Sequence, residues 1–286
     1  MSVFLYNSNE QRQLRRLPRD LIRARELLRD LVSKNLRVRY RYAVMGFLWA
    51  IIEPLALMLV LTFIFTFIFS GRVPVPGQEG TPFAVSLLCG LIFWQFTAAA
   101  LTSATQSLID NQNLVKKVHF AREVVPIAAT GYPLVNLGIG LVILVGLHLG
   151  LGGIIGPSFV YVFVVFSIHL MILVGLALLL AVANVIYRDI GYMVGVAVIF
   201  GFYASPVFYP LEFVTRASDL PWYPWLVRLY LLNPMAELLT AYRQVLFEGR
   251  FPDLWLLAWP AVLGVCLLAI GAYVSRRVGP TLSDYL

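Results

Sequence analysis

VMGFLWAIIEPLALMLVLTFIFTFIFS, residues 44–70, decides the fold: it is apolar almost throughout, and its one ionisable side chain is Glu53. A helix needs about 20 mainly apolar residues, each rising 1.5 Å, to cross the hydrocarbon of a bilayer. This stretch is long enough, and the rest of the chain has the same character. Of its 286 residues 60% are hydrophobic and only 13% charged, where soluble domains carry roughly 25% charge. Mean hydropathy is +0.81. The composition is that of an integral membrane protein of the all-α class.

Outward from 44–70, the segments 83–108, 124–151, 158–186, 192–209 and 254–274 qualify or nearly qualify as further crossings, with 192–209 the short one. Six crossings put both termini on one side. Of the 22 Lys and Arg, 17 fall on the side of the termini, including Lys116, Lys117, Arg122, Arg188, Arg276 and Arg277, and 5 fall opposite. By the positive-inside rule the termini are expected in the cytoplasm.

Residues 1–43 are expected to form a separate basic element. Leu14, Leu17, Leu21, Ala24, Leu28 and Leu31 recur every three or four positions between arginines, the pattern of an amphipathic helix. Such a helix can lie along the membrane interface, leucines in the acyl boundary and guanidinium groups among anionic head groups. The alternative is a helix packed on a partner protein. No apolar run precedes Val44, so no secretory signal is expected and the chain is expected to begin near Met1. The net charge of +7 raises the question of nucleic acid, but a basic stretch that leads into successive spans argues against it. Cys89 and Cys266 both sit in apolar runs, which offers neither a disulfide framework nor metal-ligand spacing.

Residues 44–286 form the expected six-helix domain, with outer loops at 71–82, 152–157 and 210–253. The last contains two apolar pieces, 225–232 and 234–247, each too short to cross and separated by Asn233-Pro234. A re-entrant or interfacial helical hairpin between the fifth and sixth spans fits them. Asn233 is suited to cap a helix through its side-chain oxygen, Pro234 to occupy the first helical position, and Glu237 to face the positive end of the helix dipole.

Enzyme chemistry is absent by subtraction. The lysines are Lys34, Lys116 and Lys117, and none follows a glycine as a phosphate-cradling loop requires. His119, His148 and His169 are too dispersed to suggest zinc, and Gly156-Pro157-Ser158-Phe159 lacks the second glycine of a nucleophile elbow. No catalytic, cofactor-binding or metal residue is expected. Within the spans the ionisable groups are Glu53, His148 and His169. A carboxylate at Glu53 must face a polar cavity, find a partner or take up a proton.

Several motifs together resemble the membrane subunit of bacterial type-2 ATP-binding-cassette exporters of polysaccharide, the O-antigen, capsule and teichoic-acid permeases. They are Leu36-Arg37-Val38-Arg39-Tyr40-Arg41-Tyr42 leading into Val44-Met45-Gly46-Phe47-Leu48-Trp49 and Pro54; Asn113-Leu114-Val115-Lys116-Lys117-Val118-His119-Phe120 with Arg122-Glu123 and Pro126; Tyr187-Arg188-Asp189-Ile190; Ser205-Pro206-Val207-Phe208-Tyr209-Pro210; and Asn233-Pro234-Met235 with Ala241-Tyr242-Arg243. The chain departs from the family at Ala121, where proline is common, and at Glu53, where an uncharged residue is. The resemblance implies a homodimer of this chain in the bacterial inner membrane, paired with two ATPase subunits that hold the ATP and magnesium, and moving lipid-linked polysaccharide outward. It also implies that 110–123 couples to the ATPase, with Asn113, Val115, Lys116, Lys117, Phe120, Arg122 and Glu123 as contacts and Arg188 and Asp189 as a second set. Topology alone would also place lysines there.

Sugar rings offer C–H faces to aromatic faces. Phe63 and Phe67 form one i, i+4 stripe and Phe65 and Phe69 another. Tyr203, Phe208 and Tyr209 adjoin the Ser205-Pro206 break. Phe63, Phe67, Tyr203, Phe208, Tyr209 and Glu53 are the expected substrate pathway, against the alternative of packing or an interfacial aromatic belt. Asn233 and Pro234 are the expected outer gate. Other readings of the same chain are an exporter of drugs or free lipids and an ion-coupled transporter centred on Glu53.

Overall fold

The computed structural model describes residues 25–40, 48–68, 82–117, 120–211, 214 and 223–285, and the secondary structure among them is entirely helical. In chain order the helices are α1 (Arg25–Tyr40), α2 (Trp49–Phe63, continued by a wide turn Ile64–Ile68), α3 (Phe83–Asp110), α4 (Gln112–Lys117), α5 (Val124–Ala129) and α6 (Gly131–Gly150). They continue with α7 (Val162–Ile186, after a tight turn Pro157–Tyr161), α8 (Ile190–Tyr203), α9 (Tyr223–Tyr230), α10 (Pro234–Arg243, continued by Gln244–Glu248) and α11 (Leu254–Val278, followed by Gly279–Asp284).

Among the described residues five segments are long and apolar enough to cross a membrane: Trp49–Ile68, Phe83–Asp110, Val124–Gly150, Pro157–Ile186 and Leu254–Val278. The expected fifth crossing is the short one. Its helix α8 has 14 residues, which covers about 21 Å of a hydrocarbon core roughly 30 Å thick. The last crossing runs four residues beyond the expected 274, and there Arg277 donates to the Tyr273 hydroxyl at 2.7 Å. Lys and Arg side chains near a helix end reach for the interface in this way.

The centre is α3, which touches α2, α5, α6, α7, α8 and α10. Its Leu87, Leu88, Cys89, Phe93, Ala100 and Ala104 are all sealed from solvent, which suits a helix apolar on every side. The most extensive helix pair is α7 on α11. A Cβ on Gly175 would stand 2.5 Å from the Leu267 carbonyl carbon, and one on Gly271 2.6 Å from the Gly175 oxygen, so these two glycines let the backbones meet. The third crossing breaks at Thr130 between α5 and α6. Pro133 has no N–H to offer the Ala129 carbonyl, and the Ser103 hydroxyl of α3 donates to it instead at 2.9 Å.

One end of the bundle carries α1, α4, Arg188, Arg276 and Arg277 and is called the basic end below. A compact apolar cluster fills it: Leu31, Leu108, Val115, Val124, Val125, Ala128, Ala181, Val182, Val185 and Leu282. The described part of the α1 leucine stripe meets this cluster. Leu31 is 5% exposed, and Leu27, Leu28 and Val32 pack beside it on the same cluster, so this part of the leucine stripe is covered by the chain itself rather than by acyl chains. Leu14, Leu17, Leu21 and Ala24 lie outside the described residues. Amphipathic periodicity is the same whichever apolar phase receives the helix.

Candidate functional site

At the basic end, Asn111 fixes the start of the expected coupling loop. Its Nδ2 donates to the Ser107 carbonyl at 2.7 Å, and its Oδ1 accepts from Lys34 Nζ of α1 at 2.6 Å. From there α4 presents Asn113 and Lys116 outward but turns Val115 into the apolar cluster. Val115 therefore anchors the loop to its own chain and offers no apolar surface to a partner. The side chain of Lys117 and residues 118 and 119 lie outside what is described.

Phe120 packs on the same cluster. Arg122 and Glu123, expected to face outward, reach instead for the end of α11. The Arg122 guanidinium donates to the Gly279 carbonyl, and the Glu123 carboxylate sits 3.3 Å from Arg276 with both side chains largely buried. Helix α11 was not part of the expected coupling set, because nothing in the local sequence of 120–123 points to a helix more than 150 positions away. Arg188 and Asp189, by contrast, stand exposed between α7 and α8.

The expected pathway residues divide by position. Phe63 and Phe67 are 57% and 69% exposed and pair with ring centroids 5.2 Å apart. The other stripe turns inward, with Phe65 meeting Phe83 edge-on at 5.6 Å and Phe208 at 6.0 Å; Phe69 lies outside the described residues. Tyr203 is exposed, and Phe208 is partly covered by Phe202, Tyr203 and Tyr209. Glu53 is not among these rings. It lies on the wall of a cavity of about 320 Å³ between α2, α3 and α6, together with Gln95, Thr102, Tyr132 and Asn136.

At the end of the bundle opposite the basic end, α8 stops at Tyr203 and the chain turns through 204–209. Backbone carbonyls freed by such a break at membrane depth have to be satisfied by protein. Asn233 supplies one part: its side-chain oxygen accepts from the Met235 N–H at 3.0 Å, while its Nδ2 donates to the Ala204 carbonyl at 3.0 Å and the Ser205 hydroxyl at 2.9 Å. Pro234 takes the first position of α10. The expected cap is present, and the same side chain also ties α10 to the end of α8. The Tyr209 hydroxyl donates to the Tyr203 carbonyl at 3.0 Å and meets the Tyr230 hydroxyl at 3.1 Å.

Arg243 supplies the other part. It is 3% exposed and donates to the Val207 carbonyl at 2.7 Å and the Tyr209 carbonyl at 3.3 Å. A Cβ on Gly90 of α3 would lie 2.2 Å from the Val207 oxygen and 2.9 Å from the Arg243 guanidinium, so only glycine admits this turn against α3. In the sequence Arg243 stands as one of the five Lys and Arg opposite the termini and as the end of the Ala241-Tyr242-Arg243 motif, and Gly90 carries no signal. An arginine in the apolar run after Asn233-Pro234 was the available signal. Glu237 is buried with one carboxylate oxygen unpartnered, and burial pushes its carboxyl up to about 7, outweighing the helix-dipole effect expected from its first-turn position.

His169 is a satisfied helix contact. Thr97 donates to the Phe93 carbonyl at 2.8 Å, so His169 Nε2 donates to the Thr97 hydroxyl at 2.9 Å and Nδ1 accepts from Tyr242 at 3.3 Å. His148 packs against Phe247 at 5.0 Å. Among the described residues no three His, Cys, Asp or Glu side chains gather as a metal site.

Residues 26–247 match the ABC-2 type transporter family. An O-antigen export system permease protein, RfbA, of Myxococcus xanthus is 31% identical over 264 residues, covering 92% of this chain and 96% of that protein. Two proteins of the same name from Klebsiella pneumoniae are 24% and 25% identical over 225 residues, each covering 78% of this chain and 81% of the relative.

Proposed function

The chain belongs to the ABC-2 type transporter family, and from that premise we propose that it is the membrane-spanning permease of an ATP-driven exporter of lipid-linked polysaccharide of the O-antigen type. The observation that carries the cargo is the likeness to the Myxococcus xanthus O-antigen permease, which extends over nearly the whole of both chains. The expected architecture of the working unit is two copies of this chain with two ATPase subunits in the bacterial inner membrane, the basic end facing the cytoplasm. The distribution of lysine and arginine supports that orientation.

In this reading Asn113 and Lys116 of α4, with Arg188 and Asp189, form the surface that meets the ATPase, and Lys117 belongs with them by sequence position. Closure of the ATPases on ATP supplies the energy, because ATP binds their closed state more tightly. A push on 110–123 passes by two routes. Glu123 and Arg122 carry it to Arg276 and Gly279 at the end of α11, and Asn111 carries it to Lys34 of α1. From α11 the close glycine contact engages α7. The outer hairpin at Asn233-Pro234 and the rings Tyr203, Phe208 and Tyr209 form the exit, with Phe63 and Phe67 presented along the face of α2.

The test is export in cells lacking their own permease. The wild-type chain with its ATPase is expected to restore surface polysaccharide. Lys116→Glu with Lys117→Glu is expected to insert normally and to lower export at least tenfold, equivalent to losing about 1.4 kcal/mol of coupling. Normal export by that variant overturns the coupling surface. Solute movement by the isolated chain without any ATPase overturns the exporter reading itself.

A further inference from the structure

A second hollow, of about 520 Å³, lies at the basic end, and its polar wall is Gln106, Gln112, Arg188, Tyr192 and Tyr285. Gln106 stands four residues, about 6 Å, before the end of α3, and Tyr192 is on the first turn of α8. Asn184, also on the wall, stands two residues before the end of α7. These are the ends of crossing helices, so the hollow sits at the depth where hydrocarbon gives way to head groups.

The wall is fixed, and it presents donors. The backbone orients the Asn184 amide: its Oδ1 accepts from the Gly191 N–H at 2.9 Å, and its Nδ2 donates to the Thr105 carbonyl at 3.0 Å. The same Nδ2 donates to Gln106 Oε1 at 3.2 Å, which leaves the Gln106 NH2 group as the free end of that side chain. This end lies over Gly191, where a Cβ would stand 2.4 Å from Gln106 Nε2. Arg188 makes no hydrogen bond or ion pair among the described residues, not even with the adjacent Asp189. Tyr285 is carried to the hollow by Leu282, which is sealed in the apolar cluster.

Among the described residues the wall therefore offers one guanidinium, amide groups and two phenolic hydroxyls, and no carboxylate. An ammonium group finds no counter-charge there. An anion with two oxygens on one centre meets the parallel N–H groups of a guanidinium. One arginine balances one negative charge, which is the charge of a phosphodiester, whereas a diphosphate brings more. The volume is far larger than a bare phosphate fills and falls among the roughly 300–1,000 Å³ of small-molecule sites. From the hollow an apolar strip of α8 runs into the crossing region: Tyr192, Val196 and Ile199 recur at helical spacing over about 10 Å, and all three are exposed. A charged hollow that opens onto such a strip suits a lipid better than a soluble anion, and basic pockets between crossing helices take lipid head groups in this way.

We infer that this hollow binds the singly charged phosphodiester head group of an anionic phospholipid, with Arg188 and Gln106 on the phosphate and the acyl chains along α8. The inference goes beyond the exporter reading, in which Arg188 stands at the edge of the surface that meets the ATPase: it adds a membrane lipid as a resident partner beside that edge.

The test is native mass spectrometry of the full chain released from detergent, titrated separately with phosphatidylglycerol, phosphatidylethanolamine and a polyprenyl diphosphate, with inorganic phosphate as competitor. Phosphatidylglycerol is expected to bind most tightly of the three and to resist displacement by inorganic phosphate. Arg188→Gln, at an exposed position, is expected to fold normally and to raise the Kd for phosphatidylglycerol about threefold to tenfold, the worth of one hydrogen bond. Gly191→Ala, whose Cβ pushes the Gln106 amide aside, is expected to raise it about threefold. Arg277→Gln removes the same charge from the same end and is expected to leave that Kd unchanged. Equal loss in Arg277→Gln and Arg188→Gln reduces the effect to the general field of the basic end and overturns the site. Equal affinity for phosphatidylethanolamine, tighter binding of the diphosphate, or ready displacement by inorganic phosphate also overturns it. None of these readouts depends on export, so the exporter reading stands or falls separately.

Discussion

Asn233→Asp separates the two jobs of one side chain. The carboxylate keeps an oxygen for the Met235 N–H, so the helix cap worth about 1 kcal/mol survives. The two Nδ2 bonds, to the Ala204 carbonyl and the Ser205 hydroxyl, lose their donor. The Ala204 bond is lost outright, about 1 kcal/mol, and the charge now facing that carbonyl adds to the loss, while the Ser205 hydroxyl can turn its proton onto the new carboxylate and offset part of it. Asn233→Ala removes the cap as well and is expected to cost about 3 kcal/mol. Reversible unfolding by steric trapping in bicelles reads these differences. A double-mutant cycle with Ser205→Ala isolates the hairpin-to-α8 tie, with an expected coupling of about 1 kcal/mol. If Asn233→Asp is as stable as the wild type, or the coupling to Ser205 is nil, the side chain is only a cap and the tie carries no energy.

Gly90→Ala is expected to destabilise by about 1–3 kcal/mol through overpacking against the Val207 carbonyl, whereas Gly146→Ala, with open space around its Cβ, is expected to be neutral or stabilising in the same assay. Glu123→Lys is expected to lower both stability and export, and adding Arg276→Glu to recover much of each; failure of the swap to rescue denies the pair its role. Glu237, whose carboxyl is raised by burial from 4.5 to about 7, binds its proton more tightly folded than unfolded. Stability from this group is present below pH 4.5 and is lost as pH rises through about 7. Thermal midpoints across that window are expected to fall in the wild type and to flatten in Glu237→Gln.

The crossings were legible because a long apolar run needs no knowledge of its neighbours. The cap at Asn233 was legible for a similar reason, since cap, proline and helix lie within three positions. What the sequence left open depends on distant approach. The leucines of α1 are periodic whether they meet lipid or protein, and that Leu28 and Leu31 pack on the chain's own cluster shows only in the structure. Val115, Arg122 and Glu123 look like loop surface until α7 and α11 arrive beside them. Which phenylalanine stripe of α2 faces inward is set by Phe83 and Phe208. Gly90 and Arg243 are separated by most of the chain and acquire meaning only where the turn after α8 passes between them.

That turn also sets how much oil one flank of the molecule displaces. The Tyr203, Ala204, Val207 and Tyr209 carbonyls are each held by a side chain, from Tyr209, Asn233 or Arg243, so the helical ladder has no need to continue past Tyr203. At about 21 Å, α8 is about 9 Å shorter than a hydrocarbon core of about 30 Å, a mismatch that costs a fraction of a kcal/mol per Å wherever lipid rather than protein covers it.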